Sequence, residues 1–121
     1  MKSDYIFCDS DGNYFDQNNI VEKLHEIGAY DCEKLFIHTD VGFGVPNRAL
    51  RRKGYFESLY QALLAMGVPT LLFPAFTYSF CNGEDYNVKE SKTSMGALIE
   101  YIRIQPGVLR SLDPLLSFIA V

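Results

Sequence analysis

The sequence predicts an α/β fold with at least partly parallel strand pairing. The first observation is the alternation of short apolar runs with amphipathic helical stretches along the 121 residues, which is typical of strand–helix–strand units. The second is composition: 48% hydrophobic and 21% charged residues are ordinary values for a globular chain. The third is the apolar run over residues 115–121, where a polar tail is usual. We therefore expect one domain over residues 1–121, and an incomplete one.

The chain opens with a predicted β-hairpin. Residues 5–8 have strand character, residues 9–12 are turn formers, and residues 13–15 can return as a second strand. The spacing of Asp9 and Asp11 also resembles the motif of haloacid-dehalogenase-like phosphatases, in which the first Asp attacks phosphorus in the presence of magnesium. The turn is the favoured interpretation, and the phosphatase is the alternative.

The remaining elements follow from hydrophobic spacing and from helix start and stop signals. The first helix is expected from a cap at Asn18 or Asn19 through Gly28, because Gly favours the end of a helix. The later elements are a strand over 35–37, a helix over 55–66, a strand over 70–73, a helix over 94–104, and strands at 108–109 and 115–121.

Charge is distributed unevenly. Residues 1–40 hold nine acidic and three basic residues, a net of −6, whereas residues 41–121 hold six acidic and eight basic residues, a net of +2. An anionic ligand is therefore expected to meet the second part. The overall net charge of −4 disfavours a nucleic-acid-binding function. The basic cluster of Arg48, Arg51, Arg52 and Lys53 is either a solvated surface or a phosphate contact.

Two further sites deserve a functional interpretation. His38 lies where a predicted strand ends, a common site position in α/β folds, although a structural hydrogen bond is an equal alternative. Residues 91–94 precede a predicted helix, where hydroxyls, an ammonium group and free backbone N–H groups favour an anion. The competing interpretation is ordinary capping by Thr93 or Ser94.

The lengths of the apolar runs, the first residues and the cysteines indicate the cellular compartment. No apolar run reaches the ~20 residues of a membrane span, and the first residues do not resemble a secretory signal. Three cysteines without paired spacing indicate a reducing compartment. We expect a cytoplasmic protein with no metal site and no membrane or nucleic-acid partner.

Several ordered segments resemble the aminoglycoside 3-N-acetyltransferase family. They are residues 19–28, residues 35–44, the strand and turn at 70–77, the run from Ser91 to Glu100, and Arg103 with residues 106–111. The matching stretch runs from about residue 19 to residue 121. The opening hairpin is similar to a branch of the family associated with surface polysaccharides.

The resemblance implies the family's own α/β fold, represented here by its N-terminal part with an opening hairpin. It implies acetyl transfer from acetyl-CoA to an amine of an aminoglycoside or related aminosugar. Acetyl-CoA is then a co-substrate, and no metal is required. The residues expected to contact CoA are His38, Thr39, Ser91, Lys92, Thr93, Ser94 and Gly96.

The sequence departs from the family at the expected proton-transfer position. The family's two histidines after Arg-Ser are replaced by Asp113 and Leu116, whereas Ser117 is retained. Family members are also about twice as long. The expected catalytic residue is Asp113, with Ser117 as its hydrogen-bonding partner. Burial against Leu112, Leu115 and Leu116 would raise the pKa of Asp113 and make it a better base.

Two alternatives for the base and the activity stay open. Asp113 can instead attract and orient a cationic amine, with His38 or a residue outside this sequence accepting the proton. The other possibility is a non-catalytic fragment or pseudoenzyme that at most binds CoA or a partner.

Overall fold

The computed structural model describes residues 5–121, which form two compact units. The first comprises residues 5–33 and 40–68, and the second comprises residues 34–39 and 69–121. The helices are α1 (Gln17–Glu26), α2 (Arg51–Ala65) and α3 (Ala97–Arg103). The strands are β1 (Phe7–Cys8), β2 (Tyr14–Phe15), β3 (Lys34–Phe36), β4 (Val45–Pro46), β5 (Thr70–Pro74), β6 (Leu109–Arg110) and β7 (Phe118–Ala120).

The first unit contains a three-stranded antiparallel sheet in the order β2-β1-β4, together with α1 and α2. The predicted hairpin is confirmed, because β1 pairs antiparallel with β2. The Asp9 carboxylate stabilises its turn, accepting from the Asn13 N–H at 2.8 Å and the Asp11 N–H at 3.0 Å. Hydrogen bonds to the Asp9 carboxylate lower its pKa, and the bond from the Asn13 N–H makes the largest contribution. Its carboxylate therefore serves as a turn acceptor.

Both helices of the first unit begin earlier than the sequence predicts. α1 is capped by Asp16 and not by Asn18 or Asn19, because Asp16 accepts from the Asn19 N–H at 2.8 Å while the Asn19 side chain accepts from the Asp16 N–H at 3.0 Å. α2 begins at Arg51 and not at Tyr55, since Arg and Lys are good helix formers. The buried side chains of α2 are Tyr55, Phe56, Leu59, Tyr60 and Ala62.

The second unit contains α3 and a four-stranded sheet in the order β3-β5-β7-β6. The predicted parallel pairing is confirmed between β3 and β5, whereas β7 pairs antiparallel with both β5 and β6. The sheet contributes Leu71, Phe73 and Ile119 to the core, and α3 contributes Leu98, Ile99 and Ile102.

Two elements of the second unit begin later than predicted. α3 begins at Ala97 and not at Ser94, because Gly96 has φ 109°, outside the helical region. The last strand begins at Phe118 and not at Leu115, because residues 113–116 form a turn closed by the Asp113 carboxylate. None of the helices within residues 5–121 is long and apolar enough to cross a membrane.

Candidate functional site

The candidate site lies at one edge of the sheet of the second unit. β3, β5 and β6 end at this edge and β7 begins there, because β3 and β5 are parallel whereas β7 is antiparallel to β5 and β6. We call it the carboxyl edge. His38 and Thr39 follow β3, Phe76 follows β5, and Ser117 precedes β7. Ligands of α/β proteins commonly bind at such an edge.

Thr93 and Ser94 are fixed to the carboxyl edge by the Phe76 carbonyl. This oxygen accepts from the Thr93 hydroxyl at 2.9 Å, from the Ser94 hydroxyl at 3.2 Å and from the Ser94 N–H at 3.0 Å. The Thr93 hydroxyl also accepts from the Met95 N–H at 3.1 Å. Both hydroxyls therefore donate within the protein. The predicted capping of α3 by Thr93 or Ser94 is wrong, since the cap residue is Gly96.

Glu100 and Arg103 hold the same segment from α3. Glu100 accepts from the Thr93 N–H at 3.0 Å and forms a bidentate pair with Arg103, at 2.8 and 2.7 Å. Burial alone would raise the pKa of Glu100, but the hydrogen bonds from Arg103 and from Thr93 outweigh it and lower the pKa. Arg103 also donates to the Lys89 carbonyl at 2.6 Å. The pair therefore couples the loop before α3 to the helix.

Arg110 connects three segments through their carbonyl groups. Its guanidinium donates to the carbonyls of Ser91 and Ala75, the latter at 3.0 Å, and more weakly to that of Val88 at 3.4 Å. It lies over the Tyr86 ring at 5.1 Å. Burial lowers the pKa of Arg110. Sequence reasoning included this arginine only as part of a family pattern and missed its role in holding the loop against the end of β5.

Ser117 is fully buried and its hydroxyl is engaged. It donates to the Ala75 carbonyl at 2.7 Å, and the Ser117 carbonyl accepts from the Ala75 N–H at 2.8 Å. Ala75 thus accepts from both Ser117 and Arg110. The geometry makes Ser117 a side chain that fixes the end of β5, and no hydrogen bond within residues 5–121 joins it to Asp113.

Asp113 is exposed at the turn between β6 and β7, so the burial against its leucine neighbours that would make it a better base is not found. Leu112 and Leu116 are 77% and 43% exposed. The Asp113 carboxylate accepts from the Leu116 N–H at 2.9 Å and the Leu115 N–H at 2.8 Å. These two bonds lower the pKa of Asp113, which is the opposite of the shift that burial would cause. The side chain is a carboxylate at neutral pH.

His38 ends a row of aromatic rings at the carboxyl edge. Its ring is 4.9 Å from that of Phe36, which is 5.2 Å from Phe118, which in turn is 5.8 Å from Phe76. Phe36 and Phe118 are 42% and 38% exposed, so the row presents an apolar surface. Sequence reasoning missed this aromatic surface, because the strand that contains Phe36 was interpreted as buried. Side chains alternate between the two faces of a strand, so Phe36 lies on the face opposite to the half-buried Leu35.

All nine predicted site residues lie in the second unit. Those at or fastened to the carboxyl edge are His38, Thr39, Thr93, Ser94, Asp113 and Ser117. Ser91 is held by Arg110 through its carbonyl and accepts from the Asn87 N–H through its hydroxyl at 2.8 Å. Lys92 is exposed, and Gly96 caps α3.

A mixed α/β unit with polar groups at the strand ends is a ligand-binding architecture. A family model described as aminoglycoside 3-N-acetyltransferase matches residues 45–121, and this stretch includes seven of the nine predicted residues. The chain belongs to the aminoglycoside 3-N-acetyltransferase family.

Solved structures support the same fold. YokD from Bacillus subtilis is 22% identical with a TM-score of 0.69, covering 86% of this chain and 46% of its own. AAC-VIa with bound sisomicin is 20% identical with a TM-score of 0.65, covering 87% of this chain and 45% of its own. AAC-IIIb in a binary complex with CoASH is 20% identical with a TM-score of 0.60 and the same two coverages, 87% and 45%.

The chain thus spans less than half the length of these structures. At such identities they establish the fold alone. No curated protein matches the sequence.

Proposed function

We propose that the protein takes part in acetyl-CoA-dependent N-acetylation of an aminoglycoside or related aminosugar. The observation that carries the proposal is the fastening of the family-matching segments to one sheet edge, where the Phe76 carbonyl holds Thr93 and Ser94 and the Ala75 carbonyl holds Ser117 and Arg110. Membership of the family over residues 45–121 supports it. A CoA-bound and a sisomicin-bound structure share the fold.

The proposed CoA contacts divide into two kinds. Lys92 is exposed and offers a cation to the phosphates of CoA. His38, Thr39 and the aromatic row offer a mixed polar and apolar wall to the rest of the molecule. Ser91, Thr93 and Ser94 have side chains engaged in the protein, so they shape the loop that presents Lys92, and Gly96 ends that loop.

The chemistry needs an amine without its extra proton and an acyl donor that is already activated. The amine nitrogen attacks the thioester carbonyl carbon, the carbon–sulfur bond breaks, CoA leaves as the thiolate, and the proton lost by the amine is accepted by a base. An imidazole is suited to that exchange near neutral pH. We assign it to His38, which lies at the carboxyl edge beside Phe36.

Asp113 takes the orienting role in this proposal. Its pKa is lowered by the N–H groups of Leu116 and Leu115, so it is a weak base at neutral pH but carries a negative charge that attracts an ammonium group. Ser117 keeps the end of β5 in place by its bond to the Ala75 carbonyl and acts as a positioning residue.

The second candidate function is CoA binding without turnover. It is favoured by the absence of histidine at both positions where the family has one, now Asp113 and Leu116, and by the lowered pKa of Asp113. A protein of this kind would hold the cofactor on the same loop without transferring the acetyl group.

Steady-state release of CoA from acetyl-CoA, measured with a panel of aminoglycosides and aminosugars, tests the proposal. Amine-dependent release supports acetylation, and calorimetric CoA binding without release supports the second candidate. The absence of both binding and turnover overturns both candidates.

Lys92→Glu sharpens the test of the CoA site. The substitution places a negative charge beside the phosphates, so CoA affinity should fall about tenfold or more at low salt and less at high salt, where surface charges are screened. Lys89→Glu is the matched control, since it changes the same charge in the same loop. Equal CoA affinity in the two variants would remove Lys92 from the site.

A further inference from the structure

The first unit contains a pocket that the proposed acetyl transfer does not use. Its volume is about 400 Å³, which lies within the range of small-molecule sites. Its walls include Val41, Arg48, Arg51, Arg52, Tyr55 and Phe56. It therefore contains the three arginines of the basic cluster that the sequence left open between a solvated surface and a phosphate contact.

Three guanidinium groups line this pocket without a described counter-charge. Within residues 5–121, the salt bridges are Lys23–Glu26 and Arg103–Glu100, so Arg48, Arg51 and Arg52 form none. Arg52 lies over the Phe56 ring at 5.2 Å, which places its guanidinium against the aromatic wall. Three like charges in one pocket repel one another unless an anion joins them.

The start of α2 adds to the positive potential. The helix has 15 residues and no side-chain cap among the described residues. The Arg51 N–H donates to the Arg48 carbonyl, so the N–H groups that follow it in the first turn are the ones available to an anion. Arg51, its first residue, has φ 60° and ψ 177°, a backbone conformation that costs an L-residue energy. That conformation directs the chain into α2 at the pocket wall.

Tyr55 supplies an independent indication of a ligand. The residue lines the pocket and is only 5% exposed, yet its hydroxyl has no hydrogen-bond partner among the described residues. A buried hydroxyl without a partner is unfavourable and rare in native proteins. Burial raises the pKa of Tyr55, so the hydroxyl keeps its proton and is available as a donor.

We propose that this pocket binds the phosphate of an organic phosphate. Arg48, Arg51 and Arg52 would contact the phosphate oxygens, since a guanidinium matches that geometry. The N–H groups at the start of α2 and the Tyr55 hydroxyl complete the donor set, and Phe56 contacts the organic portion. The inference stands on the first unit alone and does not depend on the proposed acetyl transfer.

Calorimetric titration of the full chain with inorganic pyrophosphate and with ADP tests the site. Removing two of the cations in Arg48→Gln/Arg52→Gln should weaken both ligands roughly a hundredfold, because each charged hydrogen bond contributes substantially. Lys53→Gln is the matched control, since Lys53 lies on the same helical turn outside the pocket walls, and it should weaken binding by less than about fivefold. Affinity in the double variant no weaker than in the control overturns the proposal.

Tyr55→Phe gives a second measurement that is independent of folding damage. It removes only the hydroxyl, so the melting temperature without ligand should stay the same or rise, while pyrophosphate affinity falls about tenfold. Unchanged affinity excludes the hydroxyl as a donor to the ligand and overturns the donor set proposed here. Circular dichroism of each variant verifies that the fold is retained.

Competition with CoA identifies the source of the phosphate. If pyrophosphate and CoA compete, and pantetheine without phosphate does not, the site takes the phosphates of CoA. If pyrophosphate binds with the same affinity in the presence of saturating CoA, the site takes a separate organic phosphate. If neither pyrophosphate nor ADP binds the wild-type chain, the proposal is overturned.

Discussion

Two loops of the second unit are held in place by different means. The loop over residues 91–96 is held by hydrogen bonds to residues outside the loop, namely the Phe76 carbonyl, Glu100 of α3 and Arg110 of β6. The turn over residues 113–116 closes on itself through the Asp113 carboxylate. Its Pro114 carbonyl also accepts from the Thr77 hydroxyl at 3.2 Å and from the Phe80 N–H at 3.3 Å.

The two loops also differ in burial, although both lie within the stretch that the family model matches. The first loop is held by half-buried residues, which are Phe76, Glu100 and Arg110. The second exposes Asp113, Pro114 and Leu116. Positioning of the loop over residues 91–96 therefore depends on long-range contacts, whereas the residue at position 113 can vary with little effect on the fold.

The largest expected effect comes from releasing the first loop at Arg110. Arg110→Met removes the donors to the Ala75, Ser91 and Val88 carbonyls. The Ala75 carbonyl keeps the Ser117 hydroxyl as a donor, whereas the carbonyls of the half-buried Ser91 and Val88 lose the guanidinium, so the free energy of unfolding should fall by about 2 kcal/mol. Urea denaturation measures this change.

Lys89→Met is the control for that measurement. It deletes a cation of the same segment whose side chain is exposed, and its effect should be within about 0.5 kcal/mol. If Arg110→Met is no more destabilising than this control, the cost of burying the guanidinium offsets its hydrogen bonds, and the loop does not depend on it.

A smaller, pH-dependent effect is expected at Glu100. Because its folded-state pKa lies below the ordinary value of 4.5, the carboxylate contributes stability that is present above pH 4.5 and is lost as the pH falls through the folded value. Glu100→Gln should therefore cost about 1–2 kcal/mol at pH 7, and the difference from wild type should shrink below pH 4.5.

Urea unfolding of both proteins between pH 7 and pH 3 measures this dependence. A constant difference across the range would mean that the substitution acts through packing and not through the charge of Glu100. A difference that shrinks at low pH, together with weaker CoA binding by Glu100→Gln, would connect the ion pair to the shape of the first loop.

Sequence reasoning predicted the elements fixed by local chemistry. The hairpin and the parallel pair β3/β5 follow from turn residues and hydrophobic spacing, and both are confirmed. Element starts were predicted less well, because they depend on single residues: Asp16 outcompetes Asn18 as a cap, and Gly96 delays α3.

Of the predicted site residues, His38 was expected at a strand end, but the engagement of Thr93 and Ser94 was not predicted. Whether Thr93 and Ser94 donate to a ligand or to the Phe76 carbonyl is a tertiary property that the local sequence does not encode. The burial that would raise the pKa of Asp113 is absent for the same reason, since residues that are apolar in sequence do not by themselves bury their neighbour.

The smallest structural effect, and the sharpest comparison with the first loop, is expected at Asp113. An asparagine oxygen can accept from the same two N–H groups, so Asp113→Asn should keep the turn and leave the melting temperature unchanged. Asp113→Ala loses both the charge and the acceptor, and it separates the two contributions.

If Asp113 orients a cationic amine, both variants should raise the KM for the amine by about two- to fivefold, as expected for an exposed charge pair. The pH dependence of kcat should not change, because a carboxylate with a lowered pKa does not titrate near neutral pH. If Asp113→Asn instead abolishes turnover and Asp113→His restores it, Asp113 accepts the proton and the assignment of that step to His38 is wrong. If neither kcat nor KM changes in either variant, the turn over residues 113–116 has no part in the reaction.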